Sequence, residues 1–164
     1  MEQRAPIVIG NDGSEFARDA LRKGLWLARQ LGAPARVLRA WTISTAPRPS
    51  TWAHGYVPPA EDFEAAVRDR LERDTAELRA EFSDVAVSLE TPHGAAGREL
   101  IRASDGAQLV VVGTRGAGGF QGLLMGSVSD QVVEHAACDV LVARPGGGID
   151  RAPGRQQPLD RFLG

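Results

Sequence analysis

The chain has 164 residues, 43% of them hydrophobic and 24% charged, and a formal net charge of -2. That suits a folded domain with a real core, and it excludes the overall basic field that draws a chain to nucleic acid or acidic lipid. No apolar run reaches membrane-spanning length, no signal-like segment opens the chain, and the single cysteine, Cys138, allows no internal disulfide. A cytoplasmic setting with no membrane and no nucleic-acid partner is expected.

Ile7, Val8 and Ile9 form a short β-branched run, followed by the turn and cap residues Asn11, Asp12, Gly13 and Ser14. A buried strand ending in a loop is predicted. Next, Ala17, Ala20, Leu21, Gly24, Leu27, Ala28 and Leu31 recur at intervals of three and four, the period of a helix, with Gly32 as its stop. Residues 35–43 read as a second strand. Residues 44–59, rich in Pro, Ser and Thr, read as a long loop, a length that in compact domains goes with function or disorder.

A second helix is expected over residues 61–82, with Phe63, Val67, Leu71, Leu78 and Phe82 on one face. Residues 85–90 alternate like a third strand, and 98–104 make a short helix. Residues 109–112 form the continuous apolar run of a strand buried on both faces. A glycine-rich stretch leads to a helix from Ser127 to about Ala137, and then to a fifth strand of Val140, Leu141, Val142 and Ala143. Residues 146–164 carry no sustained pattern and read as a flexible tail.

Strands alternating with helices imply a parallel sheet covered on both faces. In such sheets ligands sit beyond the carboxyl ends of the strands, at a switch point in strand order. Two loops leave strand ends with binding chemistry: Gly10, Asn11, Asp12, Gly13 and Ser14 after the first strand, and residues 113–126 after the fourth. They face one crevice if those strands are neighbours, which fold logic suggests and the sequence itself does not show.

In the second loop, Gly113 lets a ribose or base approach the backbone, and Gly116 can take a positive φ and expose its N–H. Gly126 and Ser127 open a helix, whose free N–H groups and partial positive charge favour phosphate. Asp12 could accept from ribose hydroxyls or sit near a phosphate-bound cation. Plainer roles stand beside these. Ser127 and Asp130 have the form of a capping box, and Asp12 and Ser14 could cap the first helix. The loop is neither a Walker A sequence nor a clean GxGxxG.

Gly113, Gly116, Gly126 and Ser127 do fit the spacing G-2x-G-9x-G-S. With the opening IVIGNDGSE and the C-terminal half from Gly106 onward, this makes residues 6–145 resemble the universal stress protein family, in its ATP-binding branch. The resemblance implies one domain over residues 1–145, with an open five-stranded parallel sheet of order 3-2-1-4-5, adenine nucleotide alpha hydrolase-like. It implies that Asp12 and Gly113 hold the ribose and that Ala40 meets adenine through its backbone. Gly116, Gly126, Ser127 and Val128 would cradle the phosphates with Ser129 nearby, and Val112 and Arg115 would line the pocket. ATP or another adenine nucleotide, with Mg2+, is the implied ligand, and a homodimer through Val140, Leu141, Val142 and Ala143 the implied assembly.

The implied function is that of a nucleotide-responsive regulatory protein in stress adaptation. A slow ATP hydrolase or phosphate-transferring enzyme and a dimeric scaffold with a vestigial site are the alternatives. The motif brings no lysine or general base, so weak hydrolysis at most is expected. Gly118, Gly119 and Gly122 lie where the motif asks for no glycine and suggest a mobile flap. Elsewhere, Trp41 could stack on a base or pack in the core. His54 and His93 lack partners at zinc-ligand spacing, Cys138 reads as a buried thiol, and His135 falls late in its helix.

Overall fold

A computed structural model of the protein describes residues 4–115, 125–146 and 148. Its elements are β1 (Ile7–Gly10), α1 (Glu15–Leu31), β2 (Ala35–Leu38), α2 (Ala60–Glu81), β3 (Val87–Glu90), α3 (Ala96–Ser104), β4 (Leu109–Gly113), α4 (Ser127–His135) and β5 (Asp139–Ala143). All neighbouring strands are parallel, in the order β3-β2-β1-β4-β5. This is the expected 3-2-1-4-5 sheet, and it makes β1 and β4 neighbours, with Ile7, Val8 and Ile9 opposite Leu109, Val110 and Val111. The chain therefore reverses its direction of travel across the sheet between β1 and β4.

The period of two along each strand divides the core between the two faces. Ile7, Ile9, Val37 and Val111 join Leu21 and Leu25 of α1 and Leu71 and Leu78 of α2. Val8, Leu38, Val110 and Val112 join Leu100 and Ala103 of α3 and Val132 of α4. Each fully buried Leu, Ile or Val contributes about 1.5–3 kcal/mol.

α1 begins and ends on local signals. The Ala17 amide donates to Ser14 Oγ at 3.1 Å, and Gly32 closes the helix in the left-handed region, with φ 59°. Arg18 and Arg22 pair with Glu77 and Glu81, each at 2.7 Å. Both helices advance four residues together, so α1 and α2 run side by side in the same direction. In α2 the apolar stripe is completed by fully buried Thr75, whose hydroxyl donates to the Leu71 carbonyl at 2.7 Å.

Two strands are shorter than their apolar runs. β2 stops at Leu38 because Trp41 leaves the ladder to pack with Phe63 and Val67, keeping only an isolated bridge to His93. β3 starts at Val87 because Val85 is used in the core under the end of α2, its amide bonded to the Phe82 carbonyl. The loop over residues 44–59 is anchored to the first turn of α2. Thr51 Oγ1 donates to Asp62 at 2.6 Å, and Trp52 sits edge-on to Phe63 at 6.2 Å. Among the described residues no helix is long and apolar enough to cross a membrane. The expected tail lies almost wholly outside the described residues.

Candidate functional site

The β1–β4 adjacency brings the Gly10–Ser14 turn beside the end of β4. The turn is held by its own short polar side chains. Asn11 Oδ1 accepts from the Gly13 amide at 3.1 Å, and Asp12 Oδ1 accepts from the Ser14 amide at 2.9 Å. Gly13 has φ 84°, which explains a glycine there. Asp12 is exposed at the turn's tip. Asn11 is buried, and its carbonyls are taken by Arg39: Nη2 donates to Oδ1, and Nε donates to the backbone oxygen at 3.2 Å. Arg39 Nη2 also lies 2.8 Å from Asp74 Oδ2 on α2. Asn11 thus serves the turn itself. Arg39 and Asp74 hold this turn, and neither was singled out from the sequence; a charged residue just after the apolar run of β2 was the available signal.

At the end of β4, Gly113 carries a packing constraint of its own. A Cβ there would lie 2.9 Å from the Phe16 carbonyl oxygen, because the first turn of α1 crosses the strand end. Gly10 sits over Leu100 and Val112, where a Cβ would find them at 3.2 and 3.3 Å. Val112 is 4% exposed and belongs to the core cluster on the α3 and α4 side of the sheet. Ala40, half-buried just past the end of β2, packs on the same cluster. Arg115 is half-buried and makes no hydrogen bond or ion pair among the described residues.

The ends of the glycine-rich loop are pinned together. The Gly126 amide donates to the Thr114 carbonyl at 2.7 Å. Buried Ser129 turns its hydroxyl to the Gly126 carbonyl at 2.9 Å, with that of Thr114 at 3.3 Å. Gly126 is the N-cap of α4 and supplies no side-chain cap. The first helical hydrogen bond runs from the Asp130 amide to the Gly126 carbonyl at 3.0 Å. The amides of Ser127, Val128 and Ser129 precede it, so they are the orphan donors of the helix start. Ser127 is exposed as the first helical residue, one place past the cap, so the capping-box arrangement does not form. Gly116 and the three glycines 118, 119 and 122 lie outside the described residues.

The other residues fall to plainer roles. Trp41 is 3% exposed, donates from Nε1 to the Thr91 carbonyl at 3.0 Å, and sets its ring 4.6 Å from that of His93, so it is core packing. His135 is exposed in the last turn of α4, 3.6 Å from Glu134. Burial, and then the charge of Asp139, push the half-buried Cys138 thiol above its ordinary range. Among the described residues no group of three or more His, Cys, Asp or Glu could hold a metal ion.

The model of the universal stress protein family matches residues 4–144. The chain belongs to the universal stress protein family. Two universal stress proteins of Mycobacterium tuberculosis are similar to it, one 32% identical over 143 residues and one 34% identical over 147. Each match covers 87% of this chain and 46% of the relative, so the chain spans about half the length of these curated relatives. Among solved structures, the universal stress protein UspA from Lactobacillus plantarum superimposes with a TM-score of 0.68 at 19% identity, over 88% of this chain and 100% of that one. A universal stress protein in complex with cAMP gives 0.62 at 20% identity, over 86% and 97%. One from Archaeoglobus fulgidus in complex with dAMP gives 0.58 at 16% identity, again over 86% and 97%. These neighbours share the fold of this chain.

Proposed function

We propose that this universal stress protein binds an adenine nucleotide, ATP foremost, at the carboxyl ends of β1 and β4, in the manner of the family's ATP-binding branch. The observation that carries the reading is the bare start of α4. It has a glycine cap, no side-chain cap and three orphan amides, and it directly follows the last glycine of a motif-spaced loop. The nucleotide complexes of two structural neighbours support it. Asp12 and Gly113 take the ribose, the Ala40 backbone takes adenine, and Gly116, Gly126, Ser127 and Val128 take the phosphates, with Arg115 available as an additional cation.

The geometry sharpens two roles. The Gly126 amide is bonded to Thr114, so the phosphates are met by the amides that follow it. The Ser129 hydroxyl acts on the loop ends rather than on the ligand. A Mg2+ ion held mainly by the phosphates needs only one or two protein carboxylates, and exposed Asp12 fits that need. When bound it would neutralise phosphate charge.

The biological role that follows is a cytoplasmic, nucleotide-responsive regulator of stress adaptation, with nucleotide occupancy as its signal. β5 is an edge strand with one side of its ladder unpaired within the sheet, and a homodimer through Val140, Leu141, Val142 and Ala143 would cover it. Equilibrium dialysis against ATP, ADP, AMP and cAMP tests the ligand, and the reading expects saturable binding of at least one. Sedimentation equilibrium tests the dimer, and a monomer at all concentrations would exclude it.

A further inference from the structure

We infer that Arg39 is a positioning residue for the nucleotide crevice: it ties the Asn11–Ser14 turn, and with it Asp12, to Asp74 in the middle of α2. Its effect on affinity rests on the nucleotide reading above; its effect on the turn does not.

The side chain of Arg39 is 10% exposed and that of Asp74 is 24% exposed, so the pair is largely shielded from water. A buried guanidinium needs its hydrogen bonds met, and the planar fork of arginine meets them in fixed directions. Nε takes the Asn11 backbone oxygen, while Nη2 takes both Asn11 Oδ1 and Asp74 Oδ2. Asn11 Oδ1 also accepts from the Gly13 amide, so the bond that shapes the turn shares its acceptor with Arg39.

Gly13 lies directly on this pair. A Cβ there would sit 3.0 Å from Asp74 Oδ2 and 3.2 Å from Arg39 Nη2. Asp12 stands between Asn11, which Arg39 holds, and Gly13, whose amide Asn11 holds, so its carboxylate is presented by a turn that the pair braces. Asp74 is also 3.3 Å from Arg70, one turn earlier on α2. A depression of about 310 Å3 opens beside the turn, with Asp74, Arg73, Arg18 and Glu77 among its walls. A displacement of α2 or of the loop leading into it therefore reaches Asp12 through a carboxylate, a guanidinium and one asparagine. That makes α2 an element through which nucleotide affinity can be regulated.

A second arginine pair, on β2 itself, provides the control. Arg36 donates to Glu90 of β3 from Nε at 2.7 Å and from Nη2 at 2.9 Å, with no bond to the turn. The test compares Arg39→Met, Asp74→Asn and Arg36→Met with the wild type by ATP titration, and by NMR-detected hydrogen exchange of the Gly13 amide without ligand. Arg39→Met and Asp74→Asn should weaken ATP binding at least about fivefold, the lower end of measured coupling between sites, and should speed Gly13 exchange; Arg36→Met should do neither. Arg39→Lys should not restore affinity, because a point charge cannot span two carbonyls and a carboxylate. If Arg39→Met fails to fold, Asp74→Asn decides alone, since it keeps the shape and removes the charge. Unchanged affinity with unchanged Gly13 exchange in a folded variant would overturn the inference. If the wild type binds no nucleotide, the functional reading fails, and Gly13 exchange alone decides whether Arg39 holds the turn.

Discussion

Gly113 and Gly126 are both motif glycines, yet they are constrained in different ways. At Gly113 a methyl group would press on the Phe16 backbone, which cannot swing aside as a side-chain tip can. Gly113→Ala should therefore cost about 1–3 kcal/mol, read as a lower urea midpoint with or without nucleotide. Gly126 has φ -78° and ψ 161°, a conformation open to any residue. Gly126→Ala should cost the free protein no more than the roughly 1 kcal/mol typical of losing a good N-cap residue, and should weaken nucleotide binding besides. Cys138, its pKa raised mainly by burial, should react slowly with a thiol reagent at neutral pH, with the rate rising only above the usual thiol range. Rapid reaction at neutral pH would contradict its environment. Gly113, Gly126, Asp12 and Ser127 could be named as candidates from the sequence because their spacing is local. Arg39 was not, because its partners Asn11 and Asp74 lie 28 and 35 positions away.

Among the elements, α1 was readable from end to end. Its cap and its glycine stop are written within the segment, though the period included Leu31, which is exposed, and passed over Leu25, which is fully buried. The ends of β2 and β3 were not, because Trp41 and Val85 look like strand residues and are claimed by packing from α2. In α2 the stripe of large apolar residues skips Thr75, since a hydroxyl says nothing of burial until Leu71 is seen to accept it. The Leu71 carbonyl keeps its helical partner when that hydroxyl is removed. Thr75→Val should thus change stability by no more than about 1 kcal/mol, while Leu71→Ala should cost about 2–5 kcal/mol. Chemical denaturation of the two variants checks the contrast; equal losses would mean that the hydroxyl carries more than its geometry suggests.

For the whole molecule, the alternation of elements predicted a parallel sheet, while the β1–β4 adjacency came only with the family resemblance and its order 3-2-1-4-5, because no local pattern encodes which strands pair; the structure has that order. The same scale holds the exposed ion pairs that join α1 to α2 and its exit. Arg18 holds Glu77, and Arg29 holds Asp84, below the usual carboxylate range, in each case chiefly by a direct hydrogen bond. A carboxylate with a depressed folded-state pKa stabilises the fold above its unfolded pKa, and that contribution is lost as pH falls through the folded value. The urea midpoint should therefore fall as pH drops below about 4, by a small amount that shrinks further in high salt, because every partner is exposed. A midpoint that rose on acidification would contradict the assignment.

The function proposed for this protein rests on the carboxyl ends of β1 and β4 forming a nucleotide site. Calorimetric titration of ATP into the wild type and into Gly126→Val tests this most directly, because the variant adds bulk at an unstrained position beside the orphan amides of α4. Saturable binding by the wild type, lost in a variant that remains folded, is the predicted result. A wild type that takes up no adenine nucleotide, or a variant that binds with unchanged affinity, would contradict it.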